Sequence, residues 1–182
     1  MALQFTTNYL DDVRPLFAHY RRLGEAAMAQ VSDADLTATL DPEMNSIAQI
    51  VKHMVGNMRS RWTGFPDADG EKPDRNRDSE FEAPPATRDS LMAMWDAGWA
   101  CTFAALDPLT DSDLARETFI RGERHSVMQA INRQIAHYSY HIGQIVFLAK
   151  HLQSENWKSL SVPRGSSATF NVDVAARRKS QR

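Results

Sequence analysis

The chain has 182 residues, 42% of them hydrophobic and 24% charged, which is the size and mixture of one globular domain with a single core. Its formal net charge of −2 gives no general attraction to nucleic acid or to anionic membrane surfaces, so neither partner is expected. The single cysteine, Cys101, excludes an internal disulfide framework and a cysteine-rich zinc site. We therefore expect a soluble, unprocessed, cytoplasmic protein with no membrane span.

Four stretches carry apolar residues at three- and four-residue steps, which predicts four amphipathic helices. They cover residues 8–31, residues 46–62, the stretch from Thr87 to Pro108, and residues from about 126 to 151. Asn45 or Ser46 can cap the second helix, and Thr87 can cap the third. Sustained period-two alternation is almost absent, so the sequence predicts an all-α four-helix bundle.

The connection between the second and third helices, residues 63–86, is far longer than is usual between antiparallel neighbours in a bundle. A segment of this length can cross the bundle, which favours an up-down-down-up arrangement with parallel second and third helices. Acids outnumber bases in it by seven to three between Asp67 and Glu82, which indicates a charged surface loop. We expect one domain over 1–182, with a core over 8–152 and an irregular C-terminal tail over 153–182.

The fourth helix contains the motif H-Y-S-Y-H, in which His137 and His141 are four residues apart. Both imidazoles therefore emerge from one helix face about one turn apart, and together they can bind one metal ion. This motif lacks the Glu that follows the first His in the zinc metalloprotease motif, so a zinc metalloprotease function is excluded.

The helical projection places these histidines on the edge of an apolar stripe. His137, His141 and Gln134 lie on one flank of the fourth helix, and His53 lies beside Asn57 on a flank of the second. If the two flanks meet, three imidazoles come together. The alternatives are a polar boundary role for His53 and a structural hydrogen-bonding role for the pair.

Neither histidine-bearing helix contains an acidic residue, between Ser46 and Trp62 or between Ser126 and His151. A carboxylate that binds the metal or orients a ligand must therefore come from another helix, a loop or a bound molecule. Three neutral nitrogen ligands with an open position are typical of a catalytic metal site. Their chemistry leaves Zn, Ni, Fe(II) and Cu open.

The remaining candidates have simpler interpretations. We expect His19, His125 and His151 at the surface or at a helix end, and Cys101 as a small buried hydrophobe without a neighbour that would activate it. Three aromatic residues are predicted in the core: Trp95, Trp99 and Tyr138. Tyr140 and Gln144 point away from the apolar stripe, where they could meet a partner subunit or the edge of the site.

Three stretches carry a family resemblance: GEKPDRNRDSEF in the crossover, INRQIAHYSYHIGQIVFLAKHL in the fourth helix and WKSLSVPRGSSATFN in the tail. With a His on the second helix and H-x-x-x-H on the fourth, the chain resembles the DinB-like superfamily. This superfamily includes the bacillithiol and mycothiol S-transferases and the YfiT-like metal-dependent hydrolases. The three stretches resemble its DUF1572 branch, whose function is not established.

The resemblance implies that His53, His137 and His141 are the ligands of a divalent metal, commonly Ni or Zn, with Fe or Mn as alternatives. It also implies the up-down-down-up bundle and a homodimer. It does not identify the reaction, and no residue here matches a thiol pocket.

Together these observations lead to the hypothesis of a metal-dependent enzyme that activates water or a low-molecular-weight thiol, as a hydrolase or a thiol S-transferase. The substrate would be a small molecule, contacted by Arg75 or Arg77 through a carboxylate and flanked by Asn57 and Gln134. No catalytic residue can be assigned. One alternative is a non-catalytic bundle with a structural metal or histidine cluster, and a weaker one is DNA-damage-related nucleic-acid binding.

Overall fold

The fold is mostly helical, with one small antiparallel sheet. A computed structural model describes residues 9–179. In chain order the elements are α1 (Tyr9–Met28), α2 (Asp33–Thr37), α3 (Ile47–Trp62), α4 (Arg88–Leu106), β1 (Glu117–Ile120), β2 (Glu123–Ser126), α5 (Val127–Gln153) and α6 (Ser167–Ala175). Short 3-10 turns cover Asp78–Phe81, Asp111–Asp113 and Ser154–Asn156. None of the helices in this part of the chain is long and apolar enough to cross a membrane.

The four predicted helices correspond to α1, α3, α4 and α5. Three of them begin at a capping box, in which the cap hydroxyl accepts from the third helical N–H and that residue's side chain accepts from the cap N–H. The caps are Ser46, Thr87 and Ser126, so the prediction of Thr87 is confirmed and Ser46 is the residue that caps α3. Pro15 lies inside α1, within its second turn.

The long helices share one core. α3 packs against α4 and α5, and α1 packs against α5 and α4. The predicted core aromatics Trp95, Trp99 and Tyr138 are fully buried, and the indole N–H of Trp62 donates to Tyr138 Oη at 2.8 Å. Close approach of α3 to α4 depends on Gly98, because a Cβ there would lie 2.9 Å from Met58 Sδ. The helix α3 is therefore packed between α4 and α5.

The strands β1 and β2 form a hairpin that the sequence did not predict. Its turn is Arg121-Gly122, and both residues have positive φ values, of 57° and 74°. Positive φ values at both central residues are typical of the two-residue turn whose twist matches that of the two strands it joins. Each strand has only four residues, which is too short for period-two alternation to be recognised.

The C-terminal stretch also differs from the prediction, because α6 interrupts the tail expected to be irregular over 153–182. This helix has only nine residues and none of them is buried, so it lacks the long apolar stripe by which the other helices were predicted.

The crossover is more than a solvated loop. Its backbone joins the hairpin, since Gly70 N–H donates to Phe119 O at 2.7 Å and Asp69 accepts from the backbone N–H groups of Arg121 and Gly122. Its 3-10 turn Asp78–Phe81 packs on α3. The crossover therefore lies against the flank of α3 that carries His53.

Candidate metal centre

Three histidine side chains from two helices converge on one point. His53 comes from α3, and His137 and His141 come from successive turns of α5. His137 Nε2 lies 3.4 Å from His53 Nε2 and 3.1 Å from His141 Nε2. Ligand atoms of all three residues lie within 4.8 Å of one another. The flanks selected by the helical projection therefore meet, and the three predicted residues are brought together.

The spacing of these nitrogens suits a divalent ion. Nitrogen ligands about 2.0–2.1 Å from a tetrahedral ion are about 3.4 Å apart, and somewhat closer around an octahedral ion. The two Nε2 separations, 3.4 and 3.1 Å, fall in this range. The cluster could thus accommodate one ion with modest adjustment of the rings.

Hydrogen bonds at the outer ring nitrogens orient two of the ligands. His53 Nδ1 donates to Glu80 Oε2 at 2.8 Å, and His141 Nδ1 donates to Gln144 Oε1 at 2.8 Å. A neutral imidazole that donates from Nδ1 presents its lone pair at Nε2, which is the form that binds a metal. The third ring belongs to the half-buried His137, whose Nδ1 is shielded from solvent and has no hydrogen-bond partner within residues 9–179.

Burial favours the neutral form of two of the three rings. It lowers the pKa of His137 to about 3, and the neighbouring His141 and His53 add to the effect. It also lowers the pKa of His141 to about 4, although the hydrogen bond to Gln144 opposes the shift. Both rings are therefore unprotonated near pH 7, so metal binding there would not require loss of a proton.

Glu80 is the carboxylate that orients His53, and the sequence did not identify it. The expectation that such a group would have to come from outside the two histidine-bearing helices is met by the crossover. Arg75 donates to the same carboxylate from Nε at 2.8 Å and from Nη2 at 3.0 Å. Burial would raise the pKa of Glu80, but the hydrogen bonds from His53 and Arg75 outweigh it and hold that pKa below its usual value.

The sequence of α3 creates the space for this carboxylate. Gly56 lies one turn after His53, and a Cβ at Gly56 would lie 2.5 Å from Glu80 Cδ. Polar side chains of the same helix fix the turn, as Gln49 Nε2 donates to Phe81 O at 2.7 Å and Lys52 Nζ donates to Ser79 O at 2.6 Å. A glycine on the face of His53 was the available signal for a close neighbour.

The aromatic ring of Phe81 supports His53 from one side. The two rings are stacked, with centroids 4.7 Å apart and an interplanar angle of 23°. The guanidinium group of Arg77 lies over the Phe81 ring, with its central carbon 5.2 Å from the ring centroid. The crossover thus contributes both a hydrogen-bond acceptor and a stacking partner to one histidine.

A cavity of about 410 Å³ opens beside the cluster. The four residues predicted near the metal, Asn57, Gln134, Arg75 and Arg77, all line it, together with His53 and His137. Arg61, Arg121, Arg133, Ala136 and Tyr140 complete the lining. Among these, Arg61, Arg121 and Arg133 were not singled out by the sequence, because α3, the hairpin and α5 meet here only in the folded chain.

The other singled-out residues lie away from the cluster or beside it. His19 and His151 are exposed, and His125 Nδ1 pairs with the backbone oxygen of Glu123 at 2.9 Å in the hairpin. Cys101 is partly buried, with Sγ 3.8 Å from Thr63 Oγ1. Tyr140 is 62% exposed at the edge of the cavity, whereas Gln144 turns toward His141.

Comparison with known protein families gives a match over most of the chain. The model of a family of proteins of unknown function, DUF1572, matches residues 4–166. No curated protein matches the chain.

Proposed function

The chain belongs to the DUF1572 family, and we propose that it is a divalent-metal-dependent enzyme of the DinB-like superfamily. His53, His137 and His141 would hold the ion, with Ni or Zn favoured and Fe or Mn as alternatives. The reaction would be attack on an electrophilic substrate by water or by a low-molecular-weight thiol, of hydrolase or thiol S-transferase type.

One observation carries this proposal: three imidazole Nε2 atoms converge beside a cavity large enough for a small molecule. A structural zinc site normally fills its fourth position with a protein ligand. The cluster found among residues 9–179 contains three histidines and no cysteine or carboxylate as a fourth member. Three ligands next to an accessible cavity are the arrangement that a catalytic site needs.

The residues around the cluster have distinct roles in this proposal. A divalent ion would supply Lewis acidity, which lowers the pKa of water or of a thiol and makes it nucleophilic at neutral pH. Glu80 and Gln144 fix the tautomers of His53 and His141. Arg75 is a positioning residue, because it holds the Glu80 carboxylate with two hydrogen bonds.

Two structural features are proposed with this function. The four long helices would form an up-down-down-up bundle, with the crossover allowing α3 and α4 to run parallel. The protein would be a cytoplasmic homodimer, and sedimentation equilibrium of the purified chain would give a mass twice that of the 20.5 kDa monomer.

Metal analysis tests the assignment of the ligands. We expect about one divalent ion per chain in the purified protein and a large loss of it in His53→Ala, His137→Ala and His141→Ala. The exposed His151 provides the matched control, because His151→Ala changes the same residue type on α5 away from the cluster. Metal content like that of the wild type in the His137→Ala and His141→Ala proteins would overturn the proposal.

An activity assay separates catalysis from a structural role. The three histidines join α3 to α5, so a cluster that only stabilises the fold is the second candidate. Metal-stripped and reloaded protein would be compared on nitrophenyl esters and on chlorodinitrobenzene with cysteine as the thiol. Turnover that depends on the metal and on His137 supports an enzyme. Metal-dependent stability without turnover on any substrate favours the structural role.

A further inference from the structure

We propose that the cavity beside the histidine cluster binds a small substrate with at least two oxyanion groups, carboxylate or phosphate, and a hydrogen-bond donor. This proposal rests on the proposed function, because it names the substrate class of the same site. It is carried by the charge of the cavity wall and by buried polar atoms that lack partners.

The cavity wall is strongly cationic. Five of the lining residues are arginines, from α3, the crossover, the hairpin turn and α5; they are Arg61, Arg75, Arg77, Arg121 and Arg133. No carboxylate lines the cavity among the residues that the structure describes. The chain as a whole has a net charge of −2, so this concentration of positive charge is local. A concave cationic surface attracts small anions.

Two carboxylates behind the wall neutralise only part of this charge. Glu71 Oε2 lies 2.8 Å from Arg61, 3.2 Å from Arg75 and 3.3 Å from Arg121. Glu80 pairs with Arg75. Five guanidinium groups against two carboxylates leave three positive charges, before any metal ion adds its own. A ligand with one negative charge would leave most of this excess uncompensated.

Two arginines are free to bind such a ligand. Within residues 9–179, Arg77 and Arg133 form no ion pair, and both are exposed at the cavity. The Arg77 guanidinium lies over the Phe81 ring. Guanidinium groups bind carboxylate and phosphate through two parallel N–H···O bonds, which a single Lys cannot form. They are therefore the primary anion ligands in this proposal.

Buried polar atoms without partners also point to a ligand. Among the described residues, no hydrogen-bond partner is found for Asn57 Oδ1, Gln134 Oε1 or Arg61 Nε. These three residues are only 5%, 2% and 6% exposed. All three residues line the cavity. A buried polar group without a partner is costly, so an atom left unpaired by the chain calls for a partner from outside it, such as a bound ligand. The amide oxygens require a donor, which assigns a hydroxyl or amino group to the ligand.

Calorimetric titration with defined anions tests this. The metal-free protein would be titrated with pyrophosphate, succinate, malate and acetate at low ionic strength, and the metal content of each variant would be measured separately. We expect pyrophosphate or the dicarboxylates to bind at least tenfold tighter than acetate, with affinity falling as salt is added. The preference between pyrophosphate and succinate distinguishes phosphate from carboxylate recognition. Malate should bind tighter than succinate, because its hydroxyl can donate to Asn57 or Gln134.

Variants locate the binding site. Arg77→Gln and Arg133→Gln should each weaken anion binding about tenfold or more, while metal content and thermal stability stay at the wild-type level. The control is Arg59→Gln, which removes an exposed arginine of α3 that does not line the cavity. Equal affinity for dianions and acetate, or unchanged affinity in both cavity variants, would overturn the proposal.

The two proposals fail in different ways. If the protein binds dianions through Arg77 and Arg133 but holds no metal, the anion site stands and the metalloenzyme does not. If it binds metal through the histidines but no dianion, the metal site stands and the anion site does not. Equal affinity for malate and succinate would refute the part of the proposal that assigns a hydrogen-bond donor to the ligand.

Discussion

Glu80→Gln is the substitution that most directly probes how the crossover controls the cluster. The carboxylate accepts one hydrogen bond from His53 and two from Arg75, at 2.8, 2.8 and 3.0 Å. The three side chains are only 6–7% exposed, so little water reaches the atoms that would lose their contacts. Gln keeps the size of Glu but removes its charge and one acceptor oxygen. It leaves the Arg75 charge paired with Glu71 alone.

The magnitude follows from these contacts. Loss of an orienting partner of a metal-binding His typically weakens metal affinity about 10- to 100-fold. Breaking a buried ion pair by removing one partner costs about 3 kcal/mol of unfolding free energy, at the lower end here because Arg75 keeps Glu71. At an ion concentration of about 100 times the wild-type Kd, binding stabilises the wild type by about 2.7 kcal/mol. The variant would gain only about 0.4 to 1.4 kcal/mol.

Two measurements test this expectation. Competition with a chromogenic chelator gives the Kd for Zn²⁺ and Ni²⁺, and denaturant unfolding with and without metal gives the stabilisation. Glu82→Gln is the matched control, because it makes the same chemical change at an exposed position two residues away. A folded Glu80→Gln protein with the metal affinity of Glu82→Gln would refute the role assigned to Glu80.

Two further substitutions test the packing around the cluster and between helices. Gly56→Ala should lower metal affinity about tenfold, because its Cβ displaces the Glu80 carboxylate, whereas Gly143→Ala on α5 meets no atom within 4 Å and should leave affinity unchanged in the same chelator assay. Tyr9→Phe removes the 2.6 Å hydrogen bond from Tyr9 Oη to Asn132 Oδ1 and should cost about 1 kcal/mol in urea unfolding at pH 9. Burial raises the pKa of Tyr9 to about 12, above its ordinary value of 10.0, so the folded state favours the neutral phenol. The stability that wild type has over the variant should therefore shrink as pH rises from 10 to 12, and a constant difference would contradict this.

Several parts of the fold could be predicted because they depend on local sequence. The apolar spacing and the hydroxyl caps Ser46, Thr87 and Ser126 specify where the long helices begin, since a cap satisfies N–H groups within its own first turn. The same periodicity placed His53, His137 and His141 on helix flanks. Their convergence followed once those flanks packed.

Other parts could not be predicted, because they depend on contacts between distant segments. Glu80 is one of seven acids between Asp67 and Glu82, and no local pattern distinguishes it from the others. It is selected because the turn Asp78–Phe81 docks on α3 where Gly56 leaves space. The hairpin brings Arg121 to the same place, and its strands are too short for a periodicity argument.

The sequence by itself therefore determined the four long helices and the three histidines on helix flanks, because these follow from interactions within a few residues along the chain. Its single cysteine also excluded a cysteine-rich site. Only the tertiary structure decided which carboxylate orients His53 and which arginines surround the cavity. Those choices depend on how the crossover and hairpin pack against α3 and α5, and the interactions that hold them join residues far apart in sequence. The candidate metal ligands could thus be found from local sequence, whereas the residues that surround them are placed by contacts between distant segments.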